Sequence, residues 1–298
     1  MKTDPITWER LRAIFGYPKP VFDVTERQFD YFDAELHQLA RTAYDKIDFG
    51  DLWYYHHDLA YVDLQPDLFA YLFPACLMDW HRTLLDNEAC SHGDSEFHYG
   101  VVHGNVLEKM LSPKQREQVE SAFRDSMLYR LNRERGFVSD GKQPTAYASM
   151  ARLSSLGLVS HAVPSIFQSW WELESPGHAV AALQYCSALM YFDGENPLFD
   201  VWIEGRNVGC VLLWENDSHF LDRGWSEANV GFLRRFITLE RVTQVIRNAA
   251  DKLCDEPEGA LARRVVADLG DRRELLHHRV AELPELLASA NPERWTVS

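Results

Sequence analysis

Little in this chain points to covalent or cofactor chemistry. Cysteine is sparse: Cys76, Cys90, Cys186, Cys210 and Cys254 are the only thiols in 298 residues. An odd number with no CxxC pair offers neither a disulfide framework nor a zinc knuckle. No apolar run approaches the roughly 18 residues that read as a membrane span. The start, Met1-Lys2-Thr3-Asp4-Pro5, lacks the basic, apolar, small-residue order of a secretion signal, so the expected compartment is a reducing cytoplasm. The phosphate-binding patterns GxGxxG and GxxxxGKS/T are missing, as is the GxSxG turn of a serine hydrolase. Basic residues are also short, at 30 Lys and Arg against 45 Asp and Glu, a net charge of -15. Such a charge repels phosphate backbones and anionic leaflets, so neither nucleic acid nor a membrane is an expected partner.

What is present is an ordinary globular composition with an uneven distribution. Apolar residues make up 46% and charged residues 25%, enough to bury a core. The length fits either one large domain or two helical halves, 1–138 and 145–298, divided at a Gly, Ser and Pro-rich stretch. Residues 51–110 hold ten acids against Arg82 and Lys109, and residues 161–230 hold ten acids against Arg206 and Arg223. Those 130 residues also carry 21 of the 37 Phe, Trp and Tyr, so acid and ring occur together.

Apolar residues recur at three- and four-residue steps, which predicts a mainly α fold of about ten helices. Residues 6–15 form one, closed by Pro18 and Pro20. A second runs about five turns from Thr25 through Phe29, Phe32, Leu36, Leu39 and Ala43. Residues 66–85 read as a buried helix opened by Pro66. Ser112-Pro113 is the clearest start, a cap followed by proline at the first helical position. Further helices are expected over 146–158, 164–174, 178–192, 226–252, 258–269 and 271–289. The exception is 201–214, where β-branched and aromatic residues flank Glu204-Gly205-Arg206-Asn207 and fit one small β-hairpin. Tyr71–Trp80 and Leu183–Phe192 share an aromatic, a cysteine, a Leu-Met pair and a closing aromatic, a faint internal likeness.

Two functional readings follow. The first is a non-enzymatic protein that captures or neutralises a basic protein, as immunity proteins and some chaperones do. Acids would speed the encounter and rings would anchor it. The candidate contact residues are Trp53, Tyr54, Tyr55, Asp58 and Asp63 from the first block, with Trp170, Trp171, Glu172, Glu174, Asp193 and Glu195 from the second. This reading needs no cofactor.

The second reading is a metal-dependent hydrolase. His92, Asp94, His98 and His103 are nitrogen and oxygen donors suited to a divalent ion such as zinc, and Glu96 would be a general base. The spacing speaks against it, because five residues between His98 and His103 do not place both on one helix face. A polar loop with exposed histidines is the plainer expectation for 90–103. His56-His57 and His277-His278 read as surface pairs, and His81 as half-buried and bonded to a backbone carbonyl.

Overall fold

A computed structural model describes residues 4–28, 32–86, 92–137, 146, 157–191, 195–199 and 226–289, and the side chains of residues 45, 86, 92–96, 199, 286 and 289 lie outside that description. The fold is mainly α: the described residues form thirteen α-helices joined by loops and short 3-10 turns, and none of them is in a strand. The expected hairpin at 201–214, the division at 138–145 and all but residues 146, 157 and 158 of the helix expected over 146–158 fall outside the described residues. The chain separates into two compact units, Met1–Ser126 and Met127–Ser298, with the boundary inside a helix.

The first unit contains α1 (Trp8–Phe15), α2 (Asp33–Arg41), α3 (Trp53–Tyr61), α4 (Pro66–Asp86), α5 (His92–His103), α6 (Val106–Met110) and the start of α7 (Pro113–Asn132). The Thr7 hydroxyl caps α1 by accepting from the Arg10 N–H at 3.2 Å. Gly16 ends α1 at a φ of +77°, a region costly for any residue with a Cβ. Helix α7 opens with a reciprocal capping box. The Ser112 Oγ accepts from the Gln115 N–H at 3.4 Å, and the Gln115 Oε1 accepts from the Ser112 N–H at 3.1 Å. Helix α4 supplies the core: Leu68, Phe69 and the whole run Tyr71–Leu77, Pro74 included, are buried, and Trp80 stands edge-on to Phe123 at 4.9 Å.

The five-turn helix expected from Thr25 is not observed. Residues 23–28 are irregular, and α2 begins only at Asp33. The reason is a long-range competitor, the Gln65 side-chain amide just before α4. Its Oε1 accepts from the backbone N–H groups of Thr25 at 2.7 Å and Glu26 at 3.3 Å, and its Nε2 donates to the Asp23 carbonyl at 2.8 Å. Backbone groups satisfied in this way do not need a helical partner.

The second unit contains α8 (Val163–Trp171), α9 (Pro176–Ala188), α10 (Glu227–Phe236), α11 (Leu239–Lys252), α12 (Gly259–Asp268) and α13 (Arg273–Ser289). Every residue of α9 from Gly177 to Ala188 is buried, the pattern of a helix surrounded by others. Of the two segments of faint likeness, Tyr71–Trp80 lies wholly within α4, and residues 183–188 of the other lie within α9. The expected helix over 226–252 is two, because Ile237 leaves the helical region and the Thr238 hydroxyl starts α11 by accepting from the Arg241 N–H. After α7, Arg135 pairs with Glu256 at 2.6 Å and Glu258 at 3.1 Å. Glu258 is itself buried and also accepts from the Gly136 N–H, which ties this segment to the α11–α12 connection.

Candidate functional site

The most distinctive surface of the first unit is built by two glycines. Gly100 in α5 and Gly104, one turn on, face α3 so closely that side chains cannot fit. A Cβ on Gly100 would lie 2.6 Å from the His56 carbonyl and 2.8 Å from the Leu59 Cβ, and one on Gly104 would strike the Leu59 carbonyl. Small residues one turn apart let helix backbones meet in this way. With the backbones in contact, the rings flanking the seam stack outside it. His57 and Tyr61, four apart on α3, have centroids 4.6 Å apart at 25°. Tyr61 and Tyr99 bridge the two helices at 5.7 Å and 21°, and Tyr99 stacks on His103 at 3.9 Å and 20°. The result is a continuous four-ring ladder, with Tyr61 51% and Tyr99 37% exposed. Asp51, Asp63 and Asp67, near the ends of α3 and at the start of α4, are exposed acids.

The opposite face of α3 is interior. Tyr55, His56, Asp58 and Leu59 are buried, and Glu26 from the irregular segment joins them. The Glu26 carboxyl accepts from the Gln65 N–H at 2.7 Å. Burial pushes its pKa up to about 7, against the lowering effect of the Gln65 N–H and of a hydrogen bond with Asp58. Burial likewise raises the Tyr55 hydroxyl well above its ordinary value, with Glu26, Cys76 and Asp58 adding to the rise. Cys76 and Cys186 are buried thiols held in the protonated form, so they serve as small apolar core residues.

The residues expected to touch a partner divide sharply. Trp53 is 37% exposed and packs against Tyr54 and Phe32; Tyr54 is half-buried, and Asp63, Glu172 and Glu174 are exposed. Tyr55, Asp58, Trp170 and Trp171 are core residues, which corrects their assignment to the surface. In α8, Trp170 donates its indole N–H to the His178 carbonyl at 3.1 Å, and Trp171 packs on Phe236 at 5.1 Å, so both adjacent rings face inward. Glu195 is exposed but bonded to Arg272 at 2.6 Å. Asp193 lies outside the described residues.

The segment 92–103 forms a helix where a polar loop was expected. His98 is buried, and its Nε2 accepts from the Trp80 indole N–H at 2.8 Å, whereas His103 is on the surface in the ladder. The side chains of His92, Asp94 and Glu96 are outside the described set. Among the described residues no three His, Cys, Asp or Glu gather closely enough to hold a metal ion. His56 is buried rather than solvated. His81 is buried rather than half-buried, and its Nε2 lies 2.8 Å from the Asp4 carboxylate.

Tyr61, Tyr99, Gly100 and Gly104 were not singled out from the sequence. Their signal is the Gly-x-x-x-Gly spacing at 100–104, together with aromatic pairs four apart at 57/61 and 99/103. No described helix is long and apolar enough to cross a membrane. Comparison with protein-family models, curated proteins and solved structures finds no match to this chain.

Proposed function

We propose that this chain is a non-enzymatic binding protein that captures a basic protein, in the manner of an immunity protein or a dedicated chaperone, through the first unit. The supporting observation is that negative charge and exposed rings coincide there. Residues 1–126 carry 22 acids against 12 bases, a net charge of -10, while residues 127–298 carry 23 against 18, a net charge of -5. Among the described residues the exposed large hydrophobic side chains of the first unit are all aromatic, Tyr17, Phe22, Trp53, Tyr61 and Tyr99, and that of the second is the aliphatic Leu261. Exposed rings in an acidic field suit a basic partner, with the field speeding encounter and ring burial slowing release.

The contact residues in this reading are Trp53, Tyr54 and Asp63, with Tyr61 and Tyr99 added. Glu172 and Glu174 remain exposed acids of the second unit. The direct test is calorimetric titration of the full chain with octa-lysine peptide, with octa-glutamate as control. Octa-lysine is expected to bind, with affinity falling about tenfold or more between about 50 mM and about 500 mM salt as exposed attraction is screened. Absence of octa-lysine binding at the lower salt would overturn the proposal.

A further inference from the structure

We propose that the 23–28 segment is a proton-locked strap: it is seated on α3 and α4 while the buried carboxyl groups of Glu26 and Asp58, which meet each other, keep their protons, and it lifts as they ionise. The strap concerns the inner face of α3 and stands apart from the capture reading.

Three observations carry it. The first is how the segment is fastened. Residues 23–28 are irregular, and side chains set their seat: the Gln65 amide holds Thr25, Glu26 and Asp23, the Gln28 N–H donates to the Asp33 carboxylate of α2 at 3.0 Å, and the Gln28 Nε2 donates to the Tyr54 carbonyl at 3.1 Å. A segment held by so few bonds opens locally at lower cost than a helical core. The second observation is the acid pair. Glu26 is 4% and Asp58 1% exposed, and their side chains hydrogen-bond to each other. Ionised carboxylates only accept, so such a bond needs a proton between them, and two buried carboxylates in contact repel. The third is what else faces Glu26. Helix α4 brings the Gln65 N–H at 2.7 Å and, beyond Tyr55, the Cys76 thiol; α3 brings the Tyr55 hydroxyl beside Asp58. Burial keeps Tyr55 and Cys76 neutral. Arg27, next in the chain, turns outward to Asp33 at 3.2 Å, and His56 turns to Phe97 of α5 at 5.2 Å.

Burial outweighs the Gln65 N–H and the Asp58 bond and pushes the Glu26 pKa up to about 7 from an ordinary 4.5. The seated strap therefore holds its proton more tightly than the lifted one. Seating is strongest below about pH 4.5 and weakens as pH rises through about 7. Because the two carboxyl groups touch, the proton lost belongs to the pair rather than to either residue.

The test is amide hydrogen exchange of the full chain, followed by NMR between pH 5 and pH 8 and expressed as protection factors. Protection of the Thr25, Glu26 and Gln65 amides is expected to fall by about seventyfold over that range, the factor given by a pKa of about 7 seated and 4.5 lifted. At every pH these amides are expected to exchange faster than those of Phe73 and Leu77 in the middle of α4. Glu26→Gln keeps an oxygen for the Gln65 N–H and offers an amide to Asp58, and it is expected to hold the change in protection below about threefold. Should that variant fail to fold, carbon-13 NMR of the parent decides: the Glu26 carboxyl must titrate near pH 7, at the same midpoint as the loss of strap protection. Constant protection in the parent, an equal loss in folded Glu26→Gln, or a Glu26 carboxyl titrating near 4.5 would overturn the strap. Strap amides exchanging no faster than Phe73 and Leu77 would overturn it too, since the opening would then be that of the whole fold.

Discussion

The helix pair α3–α5 in the first unit and the pair α8–α9 in the second are both rich in rings, yet they dispose of them in opposite ways. In α8–α9 the rings are the core: Phe167, Trp170 and Tyr185 meet edge-on or tilted at 5.5 to 5.8 Å, with none exposed. In α3–α5 glycines fill the seam, and the rings are displaced to the outside as a stack. Adjacent aromatics in sequence, Trp53-Tyr54-Tyr55 and Trp170-Trp171, therefore say nothing by themselves about exposure. What decides is whether the helix contact is made by large side chains or by backbone.

The contrast is broken most severely at the contacts themselves. Trp170→Ala in the second unit empties a fully buried site and is expected to cost about 3 to 5 kcal/mol. Gly104→Ala in the first forces a methyl against the Leu59 carbonyl and is expected to cost about 3 kcal/mol or more, since backbone rather than a flexible side chain must move. Urea unfolding of each variant checks both, and a loss below about 1 kcal/mol for Gly104→Ala would deny that backbone contact holds α3 to α5.

A smaller effect depends on pH. Glu26 has a folded pKa of about 7 against an ordinary 4.5, so the fold retains this proton more firmly than the unfolded chain. The associated stability is fully present below about pH 4.5 and is lost as pH rises through about 7, up to about 3 kcal/mol. Glu26→Gln keeps an oxygen for the Gln65 N–H without the charge. It is expected to match the parent near pH 4 and to exceed it by about 2 kcal/mol near pH 8 in urea unfolding. A variant less stable than the parent at both values would show that the carboxylate is wanted there.

The smallest effect sharpens the comparison most. Tyr61→Ala is expected to change stability by no more than about 0.5 kcal/mol, as befits a surface ring. A loss like that of Trp170→Ala would place Tyr61 in the core in solution.

Much of the helical architecture was legible because capping chemistry is local. Ser112-Pro113 opens α7, set by residues within one turn. What stayed hidden depends on groups distant in sequence. The 23–28 segment resembles a helix until the Gln65 amide, some forty residues away, takes its backbone groups. Helix α5 resembles a polar loop because its glycines, which weaken a lone helix, are used here for packing against α3. Acid content located the interesting block, but the direction each residue faces depended on helix phase. Asp58 and Tyr55 point inward and Tyr61, three residues beyond Asp58, points outward.

The most direct measurement is a tyrosine-ring NMR map of the full chain titrated with octa-lysine at low salt. Shifts concentrated at Tyr61 and Tyr99, with Tyr185 and Tyr191 unmoved, are the expected result. Shifts concentrated at Tyr185 and Tyr191, or no tyrosine shift while the peptide binds, would contradict it.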